Sequence, residues 1–221
     1  MSLDENYQRV RAMLEQHRAE LPYFGYPGQK SLKRLFDVLA SMAMIILGLP
    51  VILLVALLVK LTSPGPVLFV QVRLKQGGEP FRMIKFRTMT SSETPHELKE
   101  VTTSDPRLTP IGAFLRASRL DELPQLWHVL TGEMSLVGPR PDVPQNLERY
   151  TTSQLLRFAM PQGCTTWGVI RGGLLNDWST RQDINVEYVR KWSFFLDLRI
   201  LVQTVVVLLT QRGTNPESAE N

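Results

Sequence analysis

The 221-residue sequence is poor in cysteine and in charge, and both shortages narrow what the protein can be. Its single cysteine, Cys164, excludes an internal disulfide framework and fits a reducing compartment such as the cytosol. With no partner cysteine, Cys164 is interpreted as a small core residue. Charged residues make up 21% of the chain and hydrophobic residues 43%, which excludes a wholly disordered protein.

Several binding motifs are also missing from the sequence. It has no long run of Lys and Arg, no zinc-finger spacing and no aromatic RNA-binding strand, so we predict no nucleic-acid partner. Neither Gly-x-x-x-x-Gly-Lys nor Gly-x-Gly-x-x-Gly occurs, which removes support for the usual nucleotide-binding loops. The net charge of +4 leaves an anionic lipid surface or a phosphorylated substrate as possible partners.

One long hydrophobic run is present. Residues 38–59 contain no charged side chain, and as a helix these 22 residues would extend about 33 Å, roughly the thickness of the hydrocarbon layer. This length predicts a membrane segment. Pro50 lies near its middle, and residues 1–34 and 60–89 each carry six Lys or Arg. The central proline and equal flanks favour a re-entrant helix, but a kinked spanning helix remains open.

Local patterns predict the remaining elements. Residues 1–29 indicate a polar N-terminal helical extension, with apolar residues at helical spacing, followed by a turn-rich linker. Two alternating segments around residues 76–80 predict a β-hairpin. Residues 90–105 are expected to form a polar loop, and helical spacing returns over residues 115–130. Residues 200–210 are too short to span and indicate a buried or interfacial helix. Residues 214–221 are expected to be a disordered tail.

Adjacent acids flanked by arginines form the first candidate site. Asp121 and Glu122 follow Arg116 and Arg119, and neighbouring carboxylates need positive charge nearby to ionise together. An ionised aspartate can attack phosphorus to form an acyl phosphate, and Mg²⁺ suits a site with one or two carboxylates and substrate phosphates. The alternative is that the acids are the N-cap and first turn of a helix beside Pro124, where they would complement the helix dipole.

Basic residues supply further candidates. Arg140 lies between Pro139 and Pro141, which hold its backbone extended and stiff, a suitable mounting for a phosphate-binding guanidinium. The alternative is a surface arginine in a tight loop. Lys85 and Arg87 are two residues apart on the second predicted strand, which places both on one face, where they bind phosphate or are simply solvated.

Taken in order, these segments resemble the bacterial sugar transferase family, the monotopic phosphoglycosyl transferases. The similarity covers about residues 30–213. The matching segments include Lys33-Arg34-Leu35-Phe36-Asp37, Ser63-Pro64-Gly65-Pro66-Val67-Leu68-Phe69, Gln71, Arg73, Lys85-Phe86-Arg87-Thr88-Met89, Leu115-Arg116, Leu120-Asp121-Glu122-Leu123-Pro124-Gln125-Leu126 and Gly132-Glu133-Met134-Ser135-Leu136-Val137-Gly138-Pro139-Arg140-Pro141.

The resemblance implies a transferase that moves a sugar-1-phosphate from a nucleotide sugar, usually a UDP-sugar, to polyprenyl (undecaprenyl) phosphate. It implies that Asp121 forms a covalent phosphosugar intermediate and that Glu122 helps to hold Mg²⁺ or assists the acceptor phosphate. Asp121 and Glu122 are thus also the implied metal ligands. Alternatives are a membrane-attached glycosyltransferase that moves only the sugar, and an inactive scaffold of the same fold. The residues expected to stabilise phosphate charge are Arg73, Lys85, Arg87, Arg116 and Arg140.

The resemblance also implies an architecture and a location. We expect a mostly helical α+β protein with a re-entrant membrane helix over residues 30–62, broken near Pro50. A small catalytic domain over residues 63–213 would carry the β-hairpin and interfacial amphipathic helices. The chain would lie on the cytoplasmic face of the bacterial inner membrane, in contact with lipids, with a homo-oligomer as a candidate assembly. Residues 161–168 depart from the family pattern, in a region linked to sugar or nucleotide recognition.

Overall fold

The computed structural model describes residues 3–90, 105–171 and 177–210, with side chains to residue 207. The predicted polar loop, apart from residues 90 and 105, and the predicted tail lie outside the described residues. The α-helices are α1 (Leu3–His17), α2 (Pro22–Gly25), α3 (Pro27–Thr62), α4 (Gly112–Ala117), α5 (Leu126–Thr131), α6 (Trp178–Lys191) and α7 (Phe194–Thr210). The strands are β1 (Leu68–Leu74), β2 (Pro80–Phe86), β3 (Met134–Val137) and β4 (Gln162–Thr165), and short 3-10 helices occupy several connections. The mostly helical α+β class is confirmed.

The N-terminal extension is part of the core. The amphipathic helix predicted there is confirmed as α1, which buries Val10 and Met13 in the main hydrophobic cluster. The segment expected to be a linker forms α2 instead, and Tyr23 packs edge-on against Trp192 with ring centroids 5.1 Å apart. A side chain at Gly78, whose φ is +73°, would lie 2.9 Å from the side chain of Val10. Glycine at the hairpin turn therefore allows α1 to approach closely.

Helix α3 contains the hydrophobic run and has 36 residues. By length and composition it can cross a membrane. It is helical on both sides of Pro50 and through it, without the interruption that was predicted there. Most of its apolar surface is uncovered; Ile46 is 64% exposed and Leu47 82%. Uncovered apolar side chains over such a length are typical of a surface that contacts lipid.

One side of α3 nevertheless packs on the rest of the protein. Lys33, Asp37 and Ser41 are buried near its N-terminus, where α3 contacts α5, β3 and α7. Val55 and Val59 are buried near its C-terminus in a second cluster with residues that include Phe86 and Leu115. Both ends of the apolar run therefore contact the same folded unit.

Two small sheets complete the fold. The predicted hairpin is confirmed: β1 and β2 are antiparallel, from Leu68 opposite Phe86 to Leu74 opposite Pro80. Strands β3 and β4 form a parallel pair between segments distant in sequence, and local patterns did not predict it. The pairing brings the two segments so close that a Cβ on Gly163 would overlap the backbone of Gly138, and a Cβ on Gly138 would overlap the carbonyl of Pro161.

The helical spacing predicted over residues 115–130 is confirmed, as three short helices rather than one. The structure has α4, a 3-10 helix over Leu120–Gln125, and α5. Arg119 has a left-handed backbone (φ 59°), which interrupts the α-helix at this point, and Pro124 provides no backbone N–H to the helix that follows. The last helix begins at Phe194 rather than residue 200. It buries Ile200 and exposes Val202, as an interfacial helix requires.

A buried ionic cluster joins α3 to the C-terminal helices. Lys33 Nζ lies 2.6 Å from Asp197 Oδ2 and donates to the carbonyl of Val137 at 2.9 Å. The hydroxyl of Tyr188 donates to Asp197 at 2.6 Å, and the indole N–H of Trp192 donates to the same carboxylate at 3.1 Å. These bonds fix the base of α3 against β3 and α6.

Candidate active site

The adjacent acids lie at the turn between α4 and α5. The left-handed Arg119 reverses the chain, and the 3-10 helix that follows places Asp121 and Glu122 in its first turn. The interpretation of the acids as the first turn of a helix is confirmed, but their interpretation as its N-cap is wrong, because the N-cap position is Arg119 and no side chain caps it. Asp121 is 6% exposed, and Glu122 is largely buried. Two carboxylates side by side with so little solvent need cations close by.

Two arginines neutralise Glu122. Arg140 Nη2 donates to Glu122 Oε1 at 2.6 Å, and Arg119 Nη1 lies 3.6 Å from the same oxygen. Burial by itself raises the pKa of Glu122, but the charges of Arg140 and Arg119 outweigh it and bring the pKa below its ordinary value. Glu122 is therefore ionised at neutral pH.

Asp121 has the opposite shift. Burial raises its pKa, and the charge of Glu122 raises it further; Lys85, Arg116 and Arg119 oppose these effects only in part. The result is a poorly solvated carboxyl group whose ionised form is more basic than an ordinary aspartate. Such a group is suited to nucleophilic attack on an electrophilic phosphorus held among cations.

Lys85 and Arg116 are the nearby cations that act on Asp121. Lys85 lies on β2 with its Nζ 5.3 Å from the centre of the Phe69 ring, and burial lowers its pKa while Asp121 raises it. Arg116, on α4, donates to the sulfur of Met89 at 3.4 Å. The structure thus brings both predicted residues into the electrostatic surroundings of the acids.

The Pro139–Pro141 segment is held from behind by buried groups. Arg157, almost completely buried, donates to the backbone carbonyl of Arg140, while the side chain of Arg140 is 55% exposed. Arg73 donates to the carbonyl of Pro141 at 3.2 Å, and its pKa is lowered by burial and by the charge of Arg140. Arg73 and Arg140 therefore belong to the cluster of cations that surrounds the two acids.

Arg87 lies elsewhere. Its side chain is buried at the C-terminal end of α3, where Nη2 donates to the carbonyl and hydroxyl oxygens of Ser63 at 2.8 Å each. A side chain on Gly65 would overlap this guanidinium. Since β2 ends at Phe86, Arg87 does not share the strand position of Lys85, and its role in substrate binding stays a prediction.

A cavity of about 370 Å³ opens beside the acids. Arg119 and Arg140, which pair with Glu122, form part of its wall, so it is continuous with the surroundings of the dyad. Side chains of α6 and of the segment after β4 form another part of its wall, which no motif in the sequence predicted. The lining includes Arg73, Arg116, Arg119, Arg140, Asp142, Arg157, Thr166, Gly168, Trp178, Gln182 and Asn185.

The segment that departs from the family pattern contributes to this cavity. Residues 162–165 form β4, and Thr166, Gly168 and Val169 line the cavity beyond the strand. Cys164 packs against the core, and burial raises its thiol pKa to about 12. The prediction of a core cysteine is confirmed, because such a thiol stays protonated and inert at neutral pH.

The described residues offer few ligands for a metal. Across residues 3–90, 105–171 and 177–210, no group of three or more His, Cys, Asp or Glu side chains is placed to hold an ion. Asp121 and Glu122 could supply two carboxylates, which is sufficient for Mg²⁺ when phosphate oxygens and water complete its shell. With a basic carboxylate and a cavity rich in arginine, the site is suited to phosphoryl chemistry.

Comparison with known proteins gives consistent matches. A family model described as bacterial sugar transferase matches residues 28–211. The chain is 40% identical over 182 residues to the UDP-glucose:undecaprenyl-phosphate glucose-1-phosphate transferase of Escherichia coli (strain K12), covering 79% of this chain but 39% of that protein. It is 41% identical over 192 residues to the uncharacterized sugar transferase EpsL of Bacillus subtilis (strain 168), covering 86% of this chain and 94% of EpsL.

A third relative names a different sugar. The chain is 36% identical over 188 residues to the UDP-N-acetylgalactosamine-undecaprenyl-phosphate N-acetylgalactosaminephosphotransferase of Aeromonas hydrophila, covering 82% of this chain and 44% of that protein. The chain thus spans roughly two fifths of the length of the two relatives named for a substrate, and nearly all of EpsL.

Proposed function

Because the chain belongs to the bacterial sugar transferase family, we propose that it transfers a sugar-1-phosphate from a UDP-sugar to undecaprenyl phosphate. The names of the two relatives with stated substrates include this donor class and this acceptor. The observation that carries the proposal is Asp121, a buried carboxylate of raised pKa beside a cavity rich in arginine. The sugar stays open, since those relatives use glucose and N-acetylgalactosamine.

The reaction proceeds in two displacements at one phosphorus. A carboxylate oxygen of Asp121 attacks the phosphorus that bears the sugar, and the bond from this phosphorus to the bridging oxygen breaks, releasing UMP. The product is an aspartyl phosphosugar. An oxygen of undecaprenyl phosphate then attacks the same phosphorus, and the bond to Asp121 breaks, so the carboxylate is regenerated. The lipid product carries a diphosphate and the sugar.

The neighbouring cations stabilise the negative charge of the phosphate groups during this attack. The charges of Lys85 and Arg116 balance the phosphoryl oxygens as the nucleophile approaches. Arg73 and Arg140, which line the same cavity as Arg116, balance the charge of the diphosphate. Glu122, kept ionised by Arg140, prevents that guanidinium from neutralising Asp121 before substrate binds. When bound, Mg²⁺ held by Asp121 and Glu122 would offset the negative charge of the diphosphate.

We also propose a re-entrant course for α3 on the cytoplasmic face of the membrane. Its support is the packing of Ser41 at one end of the apolar run, and of Val55 and Val59 at the other, on the same folded unit. A helix crossing a hydrocarbon layer of about 30 Å would place these ends at opposite surfaces. One face of the bilayer also gives access to both a soluble donor and a lipid acceptor.

The test is to trap the intermediate. We expect full-length protein in nanodiscs, incubated with UDP-sugar labelled in the sugar but without acceptor, to release UMP and retain label at Asp121. Added undecaprenyl phosphate should discharge the label into lipid. Asp121→Asn should give neither label nor product, whereas Gln145→Glu, at an exposed position, should behave as wild type. Release of UDP without a labelled protein would instead indicate a transferase that moves only the sugar, and no turnover with any UDP-sugar would indicate a scaffold.

A further inference from the structure

The wall of the cavity carries two buried amides, Gln182 and Asn185, both on α6 and only 5% and 7% exposed. They are three residues apart, so they share one face of the helix. Their hydrogen bonds to each other and to Arg157 determine which atoms remain for a ligand. The hydrogen-bonding atoms left without a partner indicate which ligand groups these side chains can bind.

Arg157 fixes the orientation of Gln182. A guanidinium has donors but no acceptor, so the atom of Gln182 that it contacts must be the carbonyl oxygen, Oε1. Tyr150 and the backbone carbonyl of Arg140 hold the same guanidinium in place. The amide nitrogen of Gln182, Nε2, is thereby directed away from Arg157.

Gln182 in turn fixes Asn185. Asn185 Nδ2 donates to Gln182 Oε1 at 3.3 Å, and a reversed amide would place two carbonyl oxygens against each other. Within the described residues, neither Gln182 Nε2 nor Asn185 Oδ1 has a hydrogen-bond partner. Two neighbouring side chains of the cavity wall thus offer one donor and one acceptor, in an orientation set by a buried arginine.

We propose that Gln182 and Asn185 bind the uracil base of the donor nucleotide and select it over cytosine. This inference rests on the proposed function. The imide edge of uracil has a carbonyl next to an N–H, which complements a donor next to an acceptor, whereas cytosine presents an amino group next to an unprotonated nitrogen. The acceptor Asn185 Oδ1 attracts the N–H of uracil and repels the ring nitrogen of cytosine.

The geometry of displacement favours the base over the sugar as the occupant. The leaving group departs opposite the attacking oxygen, so UMP lies on the far side of the phosphorus from Asp121. Asp121 does not line the cavity, whereas Arg140 and Arg119, beside the dyad, do. The diphosphate therefore meets the arginines, and the nucleoside extends from them toward α6.

An amide-to-acid exchange tests the pair directly. Gln182→Glu keeps an oxygen for Arg157 and replaces the free donor Nε2 by an acceptor. With UDP and CDP as probes, neither of which carries a sugar or its acetamido group, we expect wild-type protein to bind UDP at least about tenfold more tightly than CDP. In Gln182→Glu we expect the ratio of the dissociation constant of CDP to that of UDP to fall at least about tenfold, because the new carboxylate accepts a hydrogen bond from the amino group of cytosine.

The ratio separates base recognition from a general charge effect. A new acid near a diphosphate weakens both nucleotides alike and leaves their ratio unchanged, so an unchanged ratio in a folded Gln182→Glu protein overturns the inference. The matched control Gln145→Glu adds the same charge at an exposed site and should keep the wild-type ratio; an equal change there also overturns it. Wild-type release of UMP from UDP-sugar is measured in parallel. If release occurs and the ratio does not respond, only the base assignment fails; if no UDP-sugar yields UMP, the proposed function fails.

Discussion

Replacing Lys33 by methionine would leave buried carboxylates without their cation. Lys33 Nζ lies 2.6 Å from Asp197 and 3.9 Å from Asp37, and the side chains of all three residues are at most 5% exposed. Methionine fills a similar volume but supplies no charge and no donor. Asp197 would keep its bonds from Tyr188 and Trp192, while its negative charge would remain buried and uncompensated.

The expected loss is large for a single substitution. Removing one partner of a buried ion pair costs about 3–5 kcal/mol of the free energy of unfolding. For a chain of this size, each kcal/mol shifts the Tm by about 2–4 °C, so Lys33→Met should lower it by about 6–20 °C. Lys191 provides a matched control, since it is 64% exposed in its pair with Glu187. An exposed pair contributes at most about 1 kcal/mol, so Lys191→Met should shift the Tm by no more than about 4 °C.

The assay is thermal unfolding in nanodiscs of four proteins: the wild type, Lys33→Met, Asp197→Asn and the double variant. Asp197→Asn removes the negative partner. If Lys33 and Asp197 act as a pair, Lys33→Met/Asp197→Asn should lose less free energy of unfolding than the sum of the single losses, by at least about 1 kcal/mol. Additive losses, or a Tm for Lys33→Met within about 2 °C of wild type, would refute the argument that this pair fixes the base of α3.

Three further predictions concern the site and the membrane segment. Glu122→Gln removes a charge that raises the pKa of Asp121, so the acidic limb of the pH profile of kcat/KM should move to lower pH. Lys85→Met removes a charge that lowers the pKa of Asp121, so the same limb should move to higher pH. Shifts of both variants in one common direction would contradict this electrostatic account. Chelation of divalent ions should abolish turnover and added Mg²⁺ should restore it, whereas full activity in chelator would exclude the proposed metal. In a chain lacking its native cysteine, cysteines at Lys30 and Thr62 should both react from the cytoplasmic side, whereas labelling from opposite sides would establish a spanning helix.

Elements defined by neighbouring residues could be predicted from the sequence. The length of the uncharged run predicted α3, and the alternation of side chains around a glycine turn predicted the β1–β2 hairpin, because both patterns are local. The helical spacing over residues 115–130 did not show where each helix would end, for a related reason. Periodicity alone does not reveal that Arg119 adopts a left-handed backbone, and this turn is what directs Asp121 and Glu122 toward the cations.

The long apolar helix, the hairpin and, through the family resemblance, the acidic pair followed from the order of residues along the chain. Which charges meet depends on the packing of segments that are distant in sequence. The fold brings Arg140 to Glu122 across 18 residues and Lys33 to Asp197 across 164. It also places Gln182 and Asn185 of α6 in the wall of a cavity that no motif predicted. The reason is physical: a side chain's pKa and free hydrogen-bonding atoms depend on groups within a few ångströms, and packing of distant segments selects those groups.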